Sequence, residues 1–487
     1  MDKRARILVM CIVLSTMAGA LWASGEKEAP AKAESIPTVK ILLWYQSSIN
    51  RKPKEWDVNE NPVIDMHRKA SGVNVQFEML PPENMLQRVT LVLASGDVPD
   101  LINSTNVRDG FYNFVNQGLF EKLDDLLKTH APKVRSMIPE NAWDGVRVNG
   151  AIYGVPYAGV GTRGGGIYVR EDLLKKLGVQ MPKTTAEYRS VLVKARDALG
   201  IIPYTTRLDN VEMRGAFGVA NDVIERNGKL SFAWTHDDYR DYLAYMNDLY
   251  ANKLLDGEFA VNPSAKLEEL LASGRALFST VGWWQAKSAQ DTLSKRDPSA
   301  VVGTAFAPVG PKGYSGVPAP NPISHRYAVP VRAKEKVGAM KYLNAMAGDD
   351  MIFFHNYGIE GLHFTRVDGK IVSTPEQIAA QDFVRAFQIV DSIENFKIRL
   401  YRKDFGPYYD PLLAFPEQLN PLMNMPPLPE FDGKLAELRS FANENSVKFI
   451  VGERPISQFP DFVREFNSRG GDAAIAAAAK WYATAGK

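Results

Sequence analysis

A chain of 487 residues, 45% hydrophobic and 23% charged, carries enough apolar material for two or three packed domains and is neither a fibrous nor a disordered polymer. Its formal net charge is +2, and loss of the first 23 residues would remove Lys3, Arg4, Arg6 and Asp2 and bring the charge to zero, so no bulk attraction to nucleic acid or anionic membranes remains. The only cysteine is Cys11, which leaves the rest of the chain without thiol catalysis or disulfides.

The N-terminus is a different material from the remainder. Lys3, Arg4 and Arg6 precede an apolar run from Ile7 to Leu14, and small residues follow at Ala18, Gly19, Ala20, Ala23 and Gly25. This pattern predicts a cleavable secretory signal over residues 1–25, too short for a stable membrane span. Cys11 sits inside the apolar run after Met10, a poor position for lipid attachment. Residues 26–37, rich in Glu, Lys, Ala and Pro, read as a disordered spacer.

From Thr38 strands and helices alternate. Val39–Tyr45, Val73–Met79 and Pro99–Asn103 read as strands, with helices at Pro62–Ser71 and Glu83–Ala94 between them, the signature of parallel βαβ units. Ligands in such sheets sit at the carboxyl ends of strands, which puts Tyr45, Gln46 and Asn103 at a candidate cleft rim. Trp143–Pro156 predicts a hairpin turning at Asn149-Gly150, a pair that tolerates positive φ. A glycine-rich stretch, Gly159–Gly166, leads to strand Gly166–Val169 and to helix Glu171–Leu177, stopped at Gly178.

A second α/β region runs from Thr184, which can cap a helix with Glu187 in a capping box, through helices Asp237–Tyr250 and Ser264–Ala272 and strand Ala276–Thr280 to a helix opening at Trp283-Trp284. Strand Val301–Phe306 is followed by the Pro/Gly-rich loop Pro308–Pro322, read as a passage between lobes. Strand Tyr327–Val331 and helix Lys334–Ala347 return the chain to the first lobe. A small hairpin at Asp368-Gly369 and a helical remainder complete the pattern.

The chemistry-bearing patterns are mostly negative. The six histidines show no H-E-x-x-H spacing, and His355, Glu360 and His363 straddle a glycine turn, so neither a metal nor a cofactor is expected. There is no G-x-S-x-G elbow, and Gly159–Gly166 lacks the Lys-Ser/Thr ending of a phosphate loop. Paired carboxylates for glycoside cleavage leave no sequence spacing to find. Aromatics at strand ends and loops are more informative: Trp44, Tyr45, Trp56, Tyr157, Trp234, Trp283, Trp284 and Tyr357 either fill cores or present flat faces to sugar rings. Adjacent helical residues point about 100° apart, so Trp283 and Trp284 do not share one buried face.

Several motifs then converge. Leu93–Ile102 (LASGDVPDLI), Asn149–Pro156 (NGAIYGVP), Tyr168–Pro182 (YVREDLLKKLGVQMP) with T-T-A-E-Y after it, and Asn356–Phe364 (NYGIEGLHF) closely resemble bacterial extracellular solute-binding proteins of the family 1 type, in the right order along the whole mature chain. The resemblance implies an α/β fold of two lobes, the class II periplasmic-binding-protein type, with hinge crossovers and a cleft that closes on a ligand. It also implies a non-enzymatic role in an ABC importer, a carbohydrate ligand, expected to be an oligosaccharide, and delivery to permease subunits by a monomer. Asn149–Tyr157 matches the first crossover, Gly303–Pro311 the second and Asp350–Gly361 the approach to the third. The N-terminal lobe is accordingly expected from residues 38–155 plus 307–350, and the C-terminal lobe from 156–306 plus 351–487.

Tyr157, Trp283 or Trp284 and Glu360 lie where family members commonly line the cleft. Arg163 and Arg214 either select acid or hydroxyl groups or form ordinary ion pairs. The calcium loop of many relatives is absent at Asp197–Pro203, where oxygen ligands are too few. Many relatives are lipoproteins, but no convincing lipidation site occurs here, so a freely diffusing periplasmic protein is expected. The rival readings are a binding protein for a peptide or other solute and a secreted carbohydrate-active enzyme.

Overall fold

The computed structural model describes residues 36–44, 46–81, 84–103, 108–158 and 163–485. Residues 1–35, where the secretory signal and nearly all of the spacer are expected, lie outside the described residues, as do Tyr45 and residues 159–162.

Two sheets organise two lobes. In the first, five strands run in the order Asn74–Leu80, Thr38–Trp44, Leu101–Asn103, Ile323–Ala328, Val155–Ala158. The first three are parallel, and Ile323–Ala328 is antiparallel to both of its neighbours. Strand Thr38–Trp44 carries Val39, Ile41, Leu42 and Leu43 buried, as expected of a strand covered on both faces. Helix Pro62–Ser71 begins where Asn61 accepts from the amides of Val63 and Ile64, and ends at Gly72 with φ 68°. Its Val63, Ile64 and His67 pack on the sheet, and Tyr342 of helix Lys336–Met346 meets His67.

The second sheet has the order Val302–Thr304, Gly165–Arg170, Ala276–Gly282, Ile202–Thr205, with Gly165–Arg170 antiparallel to both neighbours. Helix Thr185–Leu199 packs against it, opened by the capping box that the sequence predicts: Thr184 Oγ1 accepts from the Glu187 amide, and the Glu187 side chain answers the Thr184 amide. Helices Pro429–Val451, Phe459–Phe466 and Asp472–Ala485 cover the outside, where Phe431, Phe462 and Phe466 join Phe232 and Trp234 in one aromatic core.

The expected lobe boundaries shift. Residues 351–390 were expected in the C-terminal lobe, yet Met351, Phe354, Phe383, Val384, Phe387 and Val390 are buried in the core of the first lobe. Phe387 lies 4.8 Å from Phe77, ring to ring, so this apolar helical stretch completes the face of the parallel sheet. Conversely, the start of the expected 307–350 segment belongs to the second lobe: the Val309 amide donates to the Lys183 carbonyl, and Val317 packs with Leu412 and Phe415. The first core resumes at Ile323.

The hinge expectations move with the boundaries. Asn149 and Gly150 take φ of 50° and 81° in a short hairpin, Arg147–Val148 with Ala151–Ile152, whose Ile152 is buried in the first lobe. Asn149–Tyr157 is therefore first-lobe structure. Gly303–Pro311 lies in and beside the second sheet, and Asp350–Gly361 in the first lobe, because the apolar residues flanking each are held by those cores. The chain leaves the first lobe after Ala158 and re-enters it at Ile323, two residues paired side by side at one sheet edge.

Candidate functional site

Both sheets present the carboxyl ends of their parallel strands where the chain crosses between lobes. On the second lobe this edge, formed by Gly165, Thr206 and Gly282, opens into a cavity of about 550 Å³, closed on one side by Val317–Pro320 of the crossover. That volume falls within the range of small-molecule sites, roughly 300–1,000 Å³. The glycines here serve close packing: a Cβ on Gly165 would stand 2.3 Å from the Val281 carbonyl oxygen, and one on Gly166 would stand 2.5 Å from Leu412. They bring strands together, a different job from the backbone flexing that a glycine run suggests.

Arg163, Trp284, Arg207, Asp209, Glu212 and Gln285 bring the cavity's chemistry. Arg163 is buried, and its Nη2 donates to the Phe415 carbonyl at 2.7 Å and to Glu417 Oε1 at 3.1 Å. Its Nη1 is also buried and has no hydrogen-bond partner among the described residues. Burial lowers its pKa, against the pull of Glu417. The tryptophan pair divides as the helical geometry requires. Trp283 turns inward against Phe405, Phe396 and Tyr409 and donates its Nε1 hydrogen to the Arg163 carbonyl at 3.1 Å. Trp284, edge-on to it at 5.1 Å, stays 48% exposed and forms a cavity wall.

Arg214 stands apart from the cavity. Its Nε donates to the Val219 carbonyl at 2.9 Å and its Nη2 to that of Asn221 at 3.0 Å, clamping the loop after its own helical turn, with Asp222 at 3.5 Å. Gln285 holds the cavity's helix in place: its Oε1 accepts from Ser264 Oγ at 2.9 Å and from the Gly282 amide at 3.1 Å.

The residues expected on the first lobe are less concentrated. Tyr45 lies outside the described residues. Gln46 precedes the short helical turn Ser47–Arg51 and is half-buried. Asn103 is buried at the end of its strand, in register with Tyr327, whose hydroxyl it bonds. Trp56 packs with Phe383 at 5.8 Å and is partly buried against the first lobe's core. Glu360 is exposed and pairs with Arg366 at 3.3 Å on a turn outside the cavity. Tyr157 does reach the crossover: its ring lies 5.3 Å from His325, and its hydroxyl donates to Asp391 Oδ2 at 3.1 Å, where burial above all raises its pKa. Trp44 completes that wall, 5.4 Å from His325.

Asp391 is the centre of a buried hinge pair. Arg399 Nη1 donates to its Oδ1 at 3.1 Å, and the side chains are only 2% and 6% exposed. Helix Ile393–Arg402 thus joins the lobes: Arg399 and Arg402 hold Asn356 of the first, while Phe396 packs on Trp283 of the second. A second knot is Gln418, whose Nε2 donates to the carbonyls of Gly215 at 2.7 Å and Ser315 at 3.0 Å while its Oε1 accepts from Ala220. Asp391, Gln418 and Glu212 carry no sequence signal, because each acts across more than a hundred residues or from within a fully buried turn that shows no periodicity.

Residues 66–351 match the family described as bacterial extracellular solute-binding protein. The chain belongs to that family. Two relatives from Bacillus subtilis align with this solute-binding protein over 97% of each chain: the lipoprotein LipO, 24% identical, and the polygalacturonan/rhamnogalacturonan-binding protein YtcQ, 23% identical. Among solved structures, the Streptococcus pneumoniae ABC-transporter substrate-binding protein FusA in complex with kestose superposes with a TM-score of 0.67 at 18% identity, covering 92% of this chain and all of that one. The two-lobed α/β fold is therefore that of a solute-binding protein.

Proposed function

We propose that this solute-binding protein serves an ABC importer, taking an oligosaccharide between its lobes and handing it to a membrane permease. The observation that carries this reading is the cavity at the lobe junction, where the half-exposed face of Trp284 stands among Arg163, Arg207, Asp209 and Gln285. An aromatic plate covers the C–H face of a sugar ring, and the polar groups meet hydroxyls that would otherwise lose their hydrogen bonds to water. The names of YtcQ and FusA support the sugar class. Tyr157 and Trp44 extend the surface from the opposite lobe, and closure brings the two walls together.

Trp283 acts in this reading as the support beneath Trp284, and Arg214, Trp56 and Glu360 as structural residues. Export fits the charged and apolar N-terminus. No described helix is long and apolar enough to cross a membrane, and mass spectrometry of the mature N-terminus distinguishes a free from a lipid-bearing protein. Calorimetry against trigalacturonate, kestose and a tripeptide tests the ligand class. Binding of a sugar, weakened in Trp284→Ala, is expected; tight binding of the peptide alone overturns the reading. A fall in the scattering radius on adding the bound sugar is expected from closure, and release of new reducing ends would mark an enzyme instead.

A further inference from the structure

One group in the cavity wall is out of keeping with its surroundings. Glu212 is 3% exposed, lines the cavity, and has a buried carboxyl oxygen, Oε2, without a hydrogen-bond partner among the described residues. Buried polar atoms are nearly always paired, so an unpaired, buried carboxyl oxygen on a residue that lines a cavity asks for the group that completes it. The surrounding elements supply no cation in contact. Strand Gly165–Arg170 presents Tyr168, helix Thr185–Leu199 presents Tyr188, strand Ile202–Thr205 presents Tyr204, and the intervening loop presents Asp209 and Arg207. Arg207 is itself paired with Asp209 at 3.2 Å, and the Tyr204 hydroxyl is already engaged by Asn210 at 2.6 Å and by Thr280 at 3.0 Å.

We propose that Glu212 is a specificity residue of the cavity: it accepts a hydrogen bond from a hydroxyl of the bound ligand, and in doing so it gives up its own proton to solvent. The step is simple to balance. The carboxyl O–H bond breaks, the proton passes to water or buffer, and the resulting carboxylate accepts the ligand's O–H, whose covalent bonds do not change. The empty site favours the neutral acid, since burial pushes the Glu212 carboxyl up to about 7. A ligand hydroxyl reverses that preference, because a donor aimed at the carboxylate stabilises the charged form, and a charge-assisted bond is the stronger one. The ligand class is thus a polyhydroxylated molecule with a free hydroxyl at this wall, held more tightly as pH rises.

This inference rests on the carbohydrate reading, and its test separates the two. Affinity for trigalacturonate and for kestose is measured by calorimetry from pH 5.5 to 8.5, in two buffers of different ionisation enthalpy. Expected for the sugar that binds is a rise of about tenfold per pH unit below pH 7, levelling above it, with about one proton released per ligand at pH 6. Glu212→Gln, which keeps the shape but cannot ionise, should bind with an affinity that no longer follows pH. In the ligand-free protein, the infrared difference between wild type and Glu212→Gln should contain a protonated-carboxyl band at pH 6 that vanishes by pH 8.5. Binding of a sugar with flat pH dependence and no proton release overturns the role of Glu212 and leaves the carbohydrate reading standing. Absence of binding heat from both sugars at every pH overturns both, and absence of the carboxyl band overturns the proton step.

Discussion

The two lobes share an architecture but bury opposite kinds of titratable group. The first lobe holds four histidines driven neutral by burial. The ordinary pKa of 6.5 falls to about 3 at His67, to about 4 at His325 and His363, and well below the ordinary range at His355, whose Nε2 faces that of His67 at 3.3 Å. The second lobe holds Glu212, raised by burial to about 7, whereas raised tyrosines are buried in both lobes, Tyr157, Tyr327 and Tyr342 in the first and Tyr168, Tyr188, Tyr204 and Tyr242 in the second. A fall in pH below 6.5 should therefore weaken the first lobe, and a rise from pH 4.5 toward neutrality the second.

Acid is the strongest way to sharpen that contrast. A histidine whose folded value lies below its unfolded one keeps its full contribution above pH 6.5 and loses it as pH falls through the folded value. Between pH 6.5 and 3 the first lobe should lose several kcal/mol, on the order of 1.4 per unit of depression for each histidine. Hydrogen exchange should report earlier opening of peptides from helix Pro62–Ser71 than from helix Pro429–Val451. Simultaneous opening would show that the lobes unfold as one.

Asp391→Ala comes next. It leaves Arg399 buried without its partner and should cost about 3–5 kcal/mol in a denaturant melt. Because the pair sits at the hinge and also receives Tyr157, the same variant should widen the scattering profile of the ligand-free protein.

The rise from acid toward neutral pH belongs to Glu212. A carboxyl raised above its unfolded value stabilises fully below the unfolded value, and that contribution is lost as pH rises toward the folded one. Between pH 4.5 and about 7 the wild type should therefore lose up to about 3 kcal/mol that Glu212→Gln does not lose. Parallel melting curves of the two proteins against pH would contradict this. The smallest effect is local: Trp284→Ala should leave melting nearly unchanged and weaken sugar binding about tenfold, roughly 1.4 kcal/mol.

The contrast also explains which features could be read before folding. Local rules were legible. The Thr184–Glu187 box and the turns at Asn149-Gly150 and Asp368-Gly369 depend on residues within a few positions of one another, and the structure forms all three. The Trp283–Trp284 split followed from helix geometry alone. Lobe membership was harder, because an apolar helix such as Pro375–Arg385 packs equally well on either sheet, and only the position of Phe77 and Trp56 decides. The cavity was the least legible part. Arg163 could be suspected from its glycine setting, but Glu212 sits in a short helical turn whose residues 212–216 are all buried, so nothing in its neighbours' polarity marks it. Arg214, two positions on, looked equally charged and equally available, yet its guanidinium is consumed by its own loop's carbonyls.

The return of residues 351–390 to the first lobe has a consequence for how the chain acquires its shape. Val39 and Val390 lie in the same core, and everything that builds most of the second lobe is strung between them. A growing chain therefore cannot seal its first lobe when the first hundred and fifty residues have emerged; it must wait until Phe383 to Val390 are available to cover the sheet. Such long-range closure is slow. Under the export proposed above, that delay keeps the N-terminal half extensible until its last missing piece has followed it across.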